Sequence, residues 1–178
     1  MTIAEFDHLS TEEKKKLLEQ CCGASAWINK MLTVFPVEDL VELLEAAEEK
    51  WYECSEEDWK KAFEHHPRIG DINSLRQKYI ATKTWAEGEQ AGVTAASEAD
   101  IGELAKSNDE YEKKFGYIFI VCATGKTAKE MIEILKDRLN NVQEEEIKIA
   151  AAEQNKITKL RLEKLFGVDD SVNQDKYE

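Results

Sequence analysis

The sequence has few of the residues that break helices, form disulfides or bind metal ions. Its 178 residues include only two prolines, eight glycines, four cysteines and three histidines. So few helix breakers leave long stretches free to form helix. The cysteines lack the C-x-x-C spacing typical of zinc sites and redox pairs. Because the adjacent Cys21 and Cys22 are poorly placed to pair with each other, we expect reduced, buried thiols.

Basic residues are outnumbered by acidic ones, and long apolar runs are scarce. The 24 Lys and Arg residues face 37 Asp and Glu residues, and the net charge of −13 disfavours nucleic acid or an anionic membrane as partner. It leaves room for a small anionic substrate held by a few local cations. No apolar run approaches the roughly 20 residues of a membrane span. The start, MTIAEFDHLS, lacks the features of a secretory signal, so we expect a cytoplasmic protein.

Signals for helix dominate what is present. Five segments place a hydroxyl residue three positions before a carboxylate, which is the capping-box pattern of a helix start: Thr2/Glu5, Ser10/Glu13, Ser55/Asp58, Ser97/Asp100 and Thr127/Glu130. Pro36 stands where a further helix could begin, and Gly167 ends the last helix, which we place at about 144–166. These patterns predict an all-α fold with one helical domain over residues 1–167 and an acidic tail over 168–178.

Two segments depart from this helical pattern. Residues 66–96 are rich in glycine, threonine and polar side chains, and so irregular a stretch inside a compact domain is more often functional than idle. The run YIFIVCATG begins at Tyr117 and predicts a buried extended segment near 117–123. Its last residues, ATGKT, resemble part of a phosphate-binding loop. The glycine required five positions before Gly125 is replaced by Ile120, so that interpretation fails.

Two of the three histidines, His65 and His66, stand side by side before Pro67. Adjacent side chains at a helix end diverge, and no H-x-x-x-H or H-E-x-x-H pattern accompanies them, which disfavours a metal site. Either imidazole would suit the negative end of a helix dipole as a purely structural residue. Because Pro67 turns the chain away at once, one imidazole is held at a rigid corner, where it could serve as a general acid or base.

Four matches in order along the chain resemble one family. HPRIGD from His66, the pair Glu89-Gln90, KFGYIFIVCATGK and ITKLRLEKL are together similar to 2-oxo-4-hydroxy-4-carboxy-5-ureidoimidazoline (OHCU) decarboxylase, from the first helix to about Leu165. The resemblance implies an all-helical homodimer that uses neither metal nor organic cofactor. It also implies the last step of urate oxidation, in which OHCU loses CO2 to give (S)-allantoin.

The resemblance further implies roles for individual residues. His66 and Glu89 match the catalytic positions, and Gln90 matches a residue that holds the ring and ureido groups. The remaining positions implied in substrate binding are Pro67, Ala86, Ile118, Phe119, Ile120, Val121, Cys122 and Arg161, with Arg68 as a less certain second cation. Many members have serine where this chain has Ala86, so a hydroxyl contact is missing unless Thr82 or Thr84 replaces it.

Other functions remain open at this point. A related ureido acid could be the substrate of the same His66–Glu89 pair, and only substrate profiling would separate that possibility. A helical interaction module without catalysis would need an exposed apolar face and would not depend on His66. A metal hydrolase would lose activity with a chelator.

Overall fold

The computed structural model describes residues 1–66 and 98–167, and the secondary structure of these residues consists of helices without strands. The helices are Ile3–Asp7 (α1), Thr11–Cys21 (α2), Ser25–Met31 (α3), Leu40–Tyr52 (α4), Glu56–Glu64 (α5), Glu98–Phe115 (α6), Ala128–Arg138 (α7) and Gln143–Leu165 (α8). The all-α prediction is confirmed for this part of the chain. Within the same residues, none of the helices combines the length and apolar character that crossing a membrane requires.

Local sequence decides where most of these helices begin. In α1, α2, α5 and α7 the N-cap hydroxyl accepts a hydrogen bond from an amide three positions on, and the carboxylate there accepts one from the N-cap amide. Each box satisfies two amides that have no partner inside the helix. Four predicted helix starts are thereby confirmed, whereas Ser97 lies outside the described residues.

Helix α4 begins later than the proline suggests. Its N-cap is Asp39, whose side chain accepts a hydrogen bond from the amide of Glu42. Pro36 therefore precedes the helix and does not open it. An aspartate that satisfies an unpaired amide fixes the helix start better than a proline, which only presets the backbone angle φ.

The chain forms two compact units. The first comprises Met1–His65 and the chain from Ala151 onward. Its core is built around two fully covered indoles: Trp27 donates to the carbonyl of Ala47 at 3.0 Å, and Trp51 donates to that of Ala151 at 2.8 Å. Both rings therefore contribute apolar area while their one polar group is satisfied.

The second unit comprises His66–Ala150. Helix α6 packs against α7, and the buried side chains between and around them are Leu104, Tyr111, Phe115, Phe119, Met131 and Leu135. Gly116 follows α6 with a φ of +78°, a conformation that side-chain-bearing residues rarely adopt. The chain then continues through residues 118–123, which are neither helix nor strand.

Candidate active site

His65 has a structural environment. It is the C-cap residue of α5, and its Nδ1 lies 2.9 Å from the carbonyl oxygen of Lys61. Because a carbonyl can only accept, Nδ1 carries the proton and donates. The ring also lies against Gly23, where a Cβ atom would come within 2.2 Å of the His65 Cγ. The His65 imidazole therefore caps the C-terminal end of α5 and packs against Gly23.

His66, the predicted catalytic residue, follows directly and is half-buried. It belongs to the second unit, whereas His65 belongs to the first. The other predicted site residues of the next segment lie outside the described residues: Pro67, Arg68, Ala86, Glu89 and Gln90. Across residues 1–66 and 98–167, no three His, Cys, Asp or Glu side chains are grouped closely enough to hold a metal ion.

The predicted main-chain wall, residues 118–122, lies in the second unit. Phe119 and Ile120 are each 2% exposed and Val121 is 8% exposed, while Ile118 is half-buried. Within the described residues, no hydrogen bond satisfies the amide N–H groups of residues 119–121. A buried backbone amide left unpaired costs about 1–3 kcal/mol. An oxygen-rich ligand could satisfy such donors in an otherwise apolar segment.

A buried polar cluster lies behind this wall. Arg138 is 6% exposed, and it donates from Nη1 to the carbonyl oxygen of Ile120 at 2.7 Å and from Nε to Glu146 Oε1 at 2.7 Å. The hydroxyl of Tyr111 donates to the same carboxylate oxygen. Burial raises the pKa of Tyr111, so the phenol stays protonated and remains a donor. The guanidinium carbon also lies 4.6 Å from the centre of the Phe119 ring.

Arg161 lies on the exposed surface of α8, in the first unit. Its Nη1 donates to the carbonyl oxygens of Cys21 at 3.2 Å and Gln20 at 3.4 Å, at the C-terminal end of α2. A cation is favoured there by the helix dipole. These contacts within the described residues use Nη1 alone, and a guanidinium has five N–H donors in all. Its predicted contact with substrate remains a prediction.

Sequence reasoning missed the Arg138 cluster. In the sequence Arg138 stands at the end of a helix, where an exposed basic residue is common. Its partners Glu146, Ile120 and Tyr111 are 8, 18 and 27 positions away, so no local pattern joins them. The only available signal was the position of Ile120 inside the apolar run.

The chain is similar to known proteins over most of its length. Residues 7–163 match the family described as OHCU decarboxylase. The chain is 40% identical over 148 residues to the uric acid degradation bifunctional protein TTL of Arabidopsis thaliana, covering 82% of this chain and 45% of that protein. It is 33% identical over 101 residues to the OHCU decarboxylase of Xenopus laevis, covering 57% of each. The matches thus span about half the length of these curated relatives.

Solved structures agree with the fold. A crystal structure of OHCU decarboxylase in the presence of (S)-allantoin has a TM-score of 0.67 and 39% identity, and the alignment covers 83% of this chain and 95% of that one. A crystal structure of (S)-allantoin synthase has a TM-score of 0.66 at 16% identity, covering 91% of this chain and 53% of that one, and supports the fold alone.

Proposed function

The chain belongs to the OHCU decarboxylase family, and on that premise we propose that it decarboxylates OHCU to (S)-allantoin, with His66 as its catalytic acid and base. The observation that carries the proposal is the 39% identity to an OHCU decarboxylase crystallised in the presence of (S)-allantoin, over 95% of that chain. We assign the activity to residues 1–167 and regard 168–178 as an acidic tail.

The chemistry of OHCU supplies its own electron sink. One ring carbon carries a hydroxyl and a carboxylate, and it adjoins a ring C=N bond. When the bond to the carboxylate breaks, its electron pair forms a C=C bond in the ring while the C=N π pair moves onto nitrogen. The protein has to hold the carboxylate across the plane of the π-system and stabilise the shifted charge. These tasks need side chains and main-chain donors rather than a separate electron acceptor.

Completion of the reaction requires a proton to move. The hydroxyl loses its proton to become a carbonyl, and the former C=N carbon gains one to become the stereocentre of allantoin, while solvent supplies the proton that neutralises the ring nitrogen. A single imidazole can accept the first proton and deliver the second, and delivery from one side alone gives one enantiomer. His66 suits this role because it is half-buried and its neighbour His65 is committed to Lys61 and Gly23.

The remaining predicted residues would bind the substrate. Glu89 would orient the ureido group and help set the protonation state of His66, and Gln90 would hold the ring. The amides of residues 119–121, which have no hydrogen bond within the described residues, support a main-chain contact to ring or carboxylate oxygens. Arg161 would neutralise the carboxylate, because the net charge of −13 opposes an anion at long range. Pro67 and Ala86 would shape the wall beside His66 and Glu89.

We also propose that the protein works as a homodimer in the cytoplasm. The support for this is the family resemblance. Size-exclusion chromatography with light scattering would measure the oligomeric state.

The test is circular dichroism during incubation with freshly generated OHCU. Wild type should produce the (S)-allantoin signal rapidly, and His66→Ala should slow the reaction about 100-fold or more, as expected for loss of a general acid–base group. His65→Ala is the matched control, and it should keep the wild-type rate per folded molecule. Far-UV spectra and melting curves would establish the folded fraction of each variant.

Two outcomes would contradict the proposal in different ways. If His66→Ala retained the wild-type rate, His66 would not be the acid and base. If folded wild type did not accelerate OHCU loss, the fold would serve a related ureido acid or a non-catalytic partner. Profiling ureido acids would then separate these two functions.

A further inference from the structure

The amide that follows Ile120 has a direction that the buried cluster determines. Arg138 Nη1 donates to the Ile120 carbonyl at 2.7 Å, and the Ile120–Val121 peptide bond is trans. In a planar trans peptide the C=O and N–H groups point in opposite directions. The Val121 N–H therefore points away from Arg138, and no hydrogen bond satisfies it within the described part of the chain.

The cluster holds this peptide firmly. Glu146 is fully covered; its Oε1 accepts from Arg138 Nε at 2.7 Å and forms an ion pair with Nη2 at 2.5 Å, and its Oε2 accepts from the side-chain amide of Asn141 at 2.7 Å. Tyr111 donates to Oε1 as well. With its edge bound to Glu146 and its face on Phe119, the guanidinium has little freedom to move.

The charge on Arg138 also strengthens the donor. A cation bonded to a carbonyl oxygen draws electron density from the peptide group, so its N–H becomes a better donor. Core packing alone does not require such an arrangement, because apolar side chains of similar volume often stabilise a core as well as a buried ion pair does. What the cation supplies here is a charged donor to one chosen carbonyl in the candidate substrate wall.

We propose that Arg138 is a positioning residue which, through the Ile120 carbonyl, aims and polarises the Val121 N–H as the main-chain donor to a carbonyl or carboxylate oxygen of the substrate. Glu146 and Tyr111 hold Arg138 in place for this purpose. The inference deepens the proposed function and rests on it. In this proposal the Ile120 carbonyl accepts the hydrogen bond from Arg138, and the Val121 N–H contacts the ligand.

The test combines Arg138→Met with replacement of the Val121 amide by an ester, made by incorporating the corresponding α-hydroxy acid at position 121. The ester removes the N–H and leaves the side chain. Each change alone should raise KM for OHCU and Kd for (S)-allantoin about tenfold, the size expected for one charge-assisted hydrogen bond. Together they should raise both little further, because the ester leaves no N–H for Arg138 to aim and polarise.

Lys114→Met is the matched control. Lys114 also donates to main-chain carbonyls of the second unit, those of Leu139 at 2.6 Å and Asn141 at 2.9 Å, and among the described residues it makes no hydrogen bond to residues 118–122. It should leave KM and Kd unchanged. Arg138→Lys, which keeps the charge, should show a smaller rise than Arg138→Met. If Arg138→Met fails to fold, the lysine variant takes its place in the double substitution.

The outcomes separate the two proposals. If wild type is active and the Val121 ester has the same KM and Kd as wild type, the positioning role alone is overturned. Fully multiplicative effects of Arg138→Met and the ester would also overturn it, because Arg138 would then act on stability or on another contact. Wild type that neither turns over OHCU nor binds (S)-allantoin would overturn the proposed function and this inference with it.

Discussion

Substituting Gly23 by alanine tests whether His65 is a structural residue. The added Cβ would lie 2.2 Å from Cγ and 2.6 Å from both Cβ and Nδ1 of His65. Carbon atoms in ordinary contact are about 3.5–4.0 Å apart, so the ring has to move by more than an ångström. Since its Cβ is among the crowded atoms, a simple rotation of the side chain does not relieve the overlap.

The cost can be estimated from three terms. Overpacking of this kind costs about 1–3 kcal/mol, and displacing the ring from the Lys61 carbonyl costs about 1 kcal/mol more. Alanine recovers about 0.4–1 kcal/mol by restricting the unfolded chain. We therefore expect Gly23→Ala to lower the free energy of unfolding by about 1–3.5 kcal/mol.

A double-mutant cycle makes the prediction specific. In a His65→Ala background the imidazole is absent, so Gly23→Ala should cost close to nothing or even stabilise. Urea denaturation of the four proteins, followed by tryptophan fluorescence, gives the free energies of unfolding. If Gly23→Ala lowered the free energy of unfolding equally in both backgrounds, the close approach between Gly23 and His65 would not be the cause of the destabilisation.

Two further predictions concern titration. Burial raises the pKa of Cys21 to about 11 and that of Cys22 to about 12, so a disulfide reagent at pH 8 should modify these thiols only after urea unfolds the chain; rapid labelling of both in the native protein would contradict this. A hydrogen bond from Lys50, with a smaller contribution from one donated by Lys30, lowers the pKa of the exposed Glu53 from 4.5 to about 2. Its stabilising contribution is therefore present above pH 4.5 and lost as pH falls through about 2. Glu53→Gln should melt earlier than wild type at pH 7 and at nearly the same temperature at pH 2, and a constant difference would refute the assignment.

The sequence predicted well what depends on short range. A capping box such as Ser10 with Glu13 involves residues three apart, so the pattern and the hydrogen bonds are nearly the same statement. The predicted start of α4 was wrong because two local signals competed, and the side-chain acceptor of Asp39 outweighed the preset φ of Pro36. Both kinds of outcome follow from local chemistry.

Contacts between distant segments were not predictable in this way. Gly23 follows the end of α2, where a glycine is common, and only the packing shows that its lack of a side chain makes room for the ring of His65. Arg138 had the sequence context of a surface residue, yet it is buried against Glu146 and Ile120. Such roles depend on how helices pack, which the periodicity of one helix does not determine. The assignments of Glu89 and Gln90 remain predictions, since both lie outside the described residues.

The most direct test of the central claim is the stereochemistry of the product. OHCU that loses CO2 free in solution is protonated on either face with equal ease and gives racemic allantoin, which has no circular dichroism. If the protein binds OHCU and His66 delivers the proton from one side, substrate consumed in its presence should yield the full (S)-allantoin signal per mole. A signal near zero, with substrate disappearing at the spontaneous rate, would contradict the account.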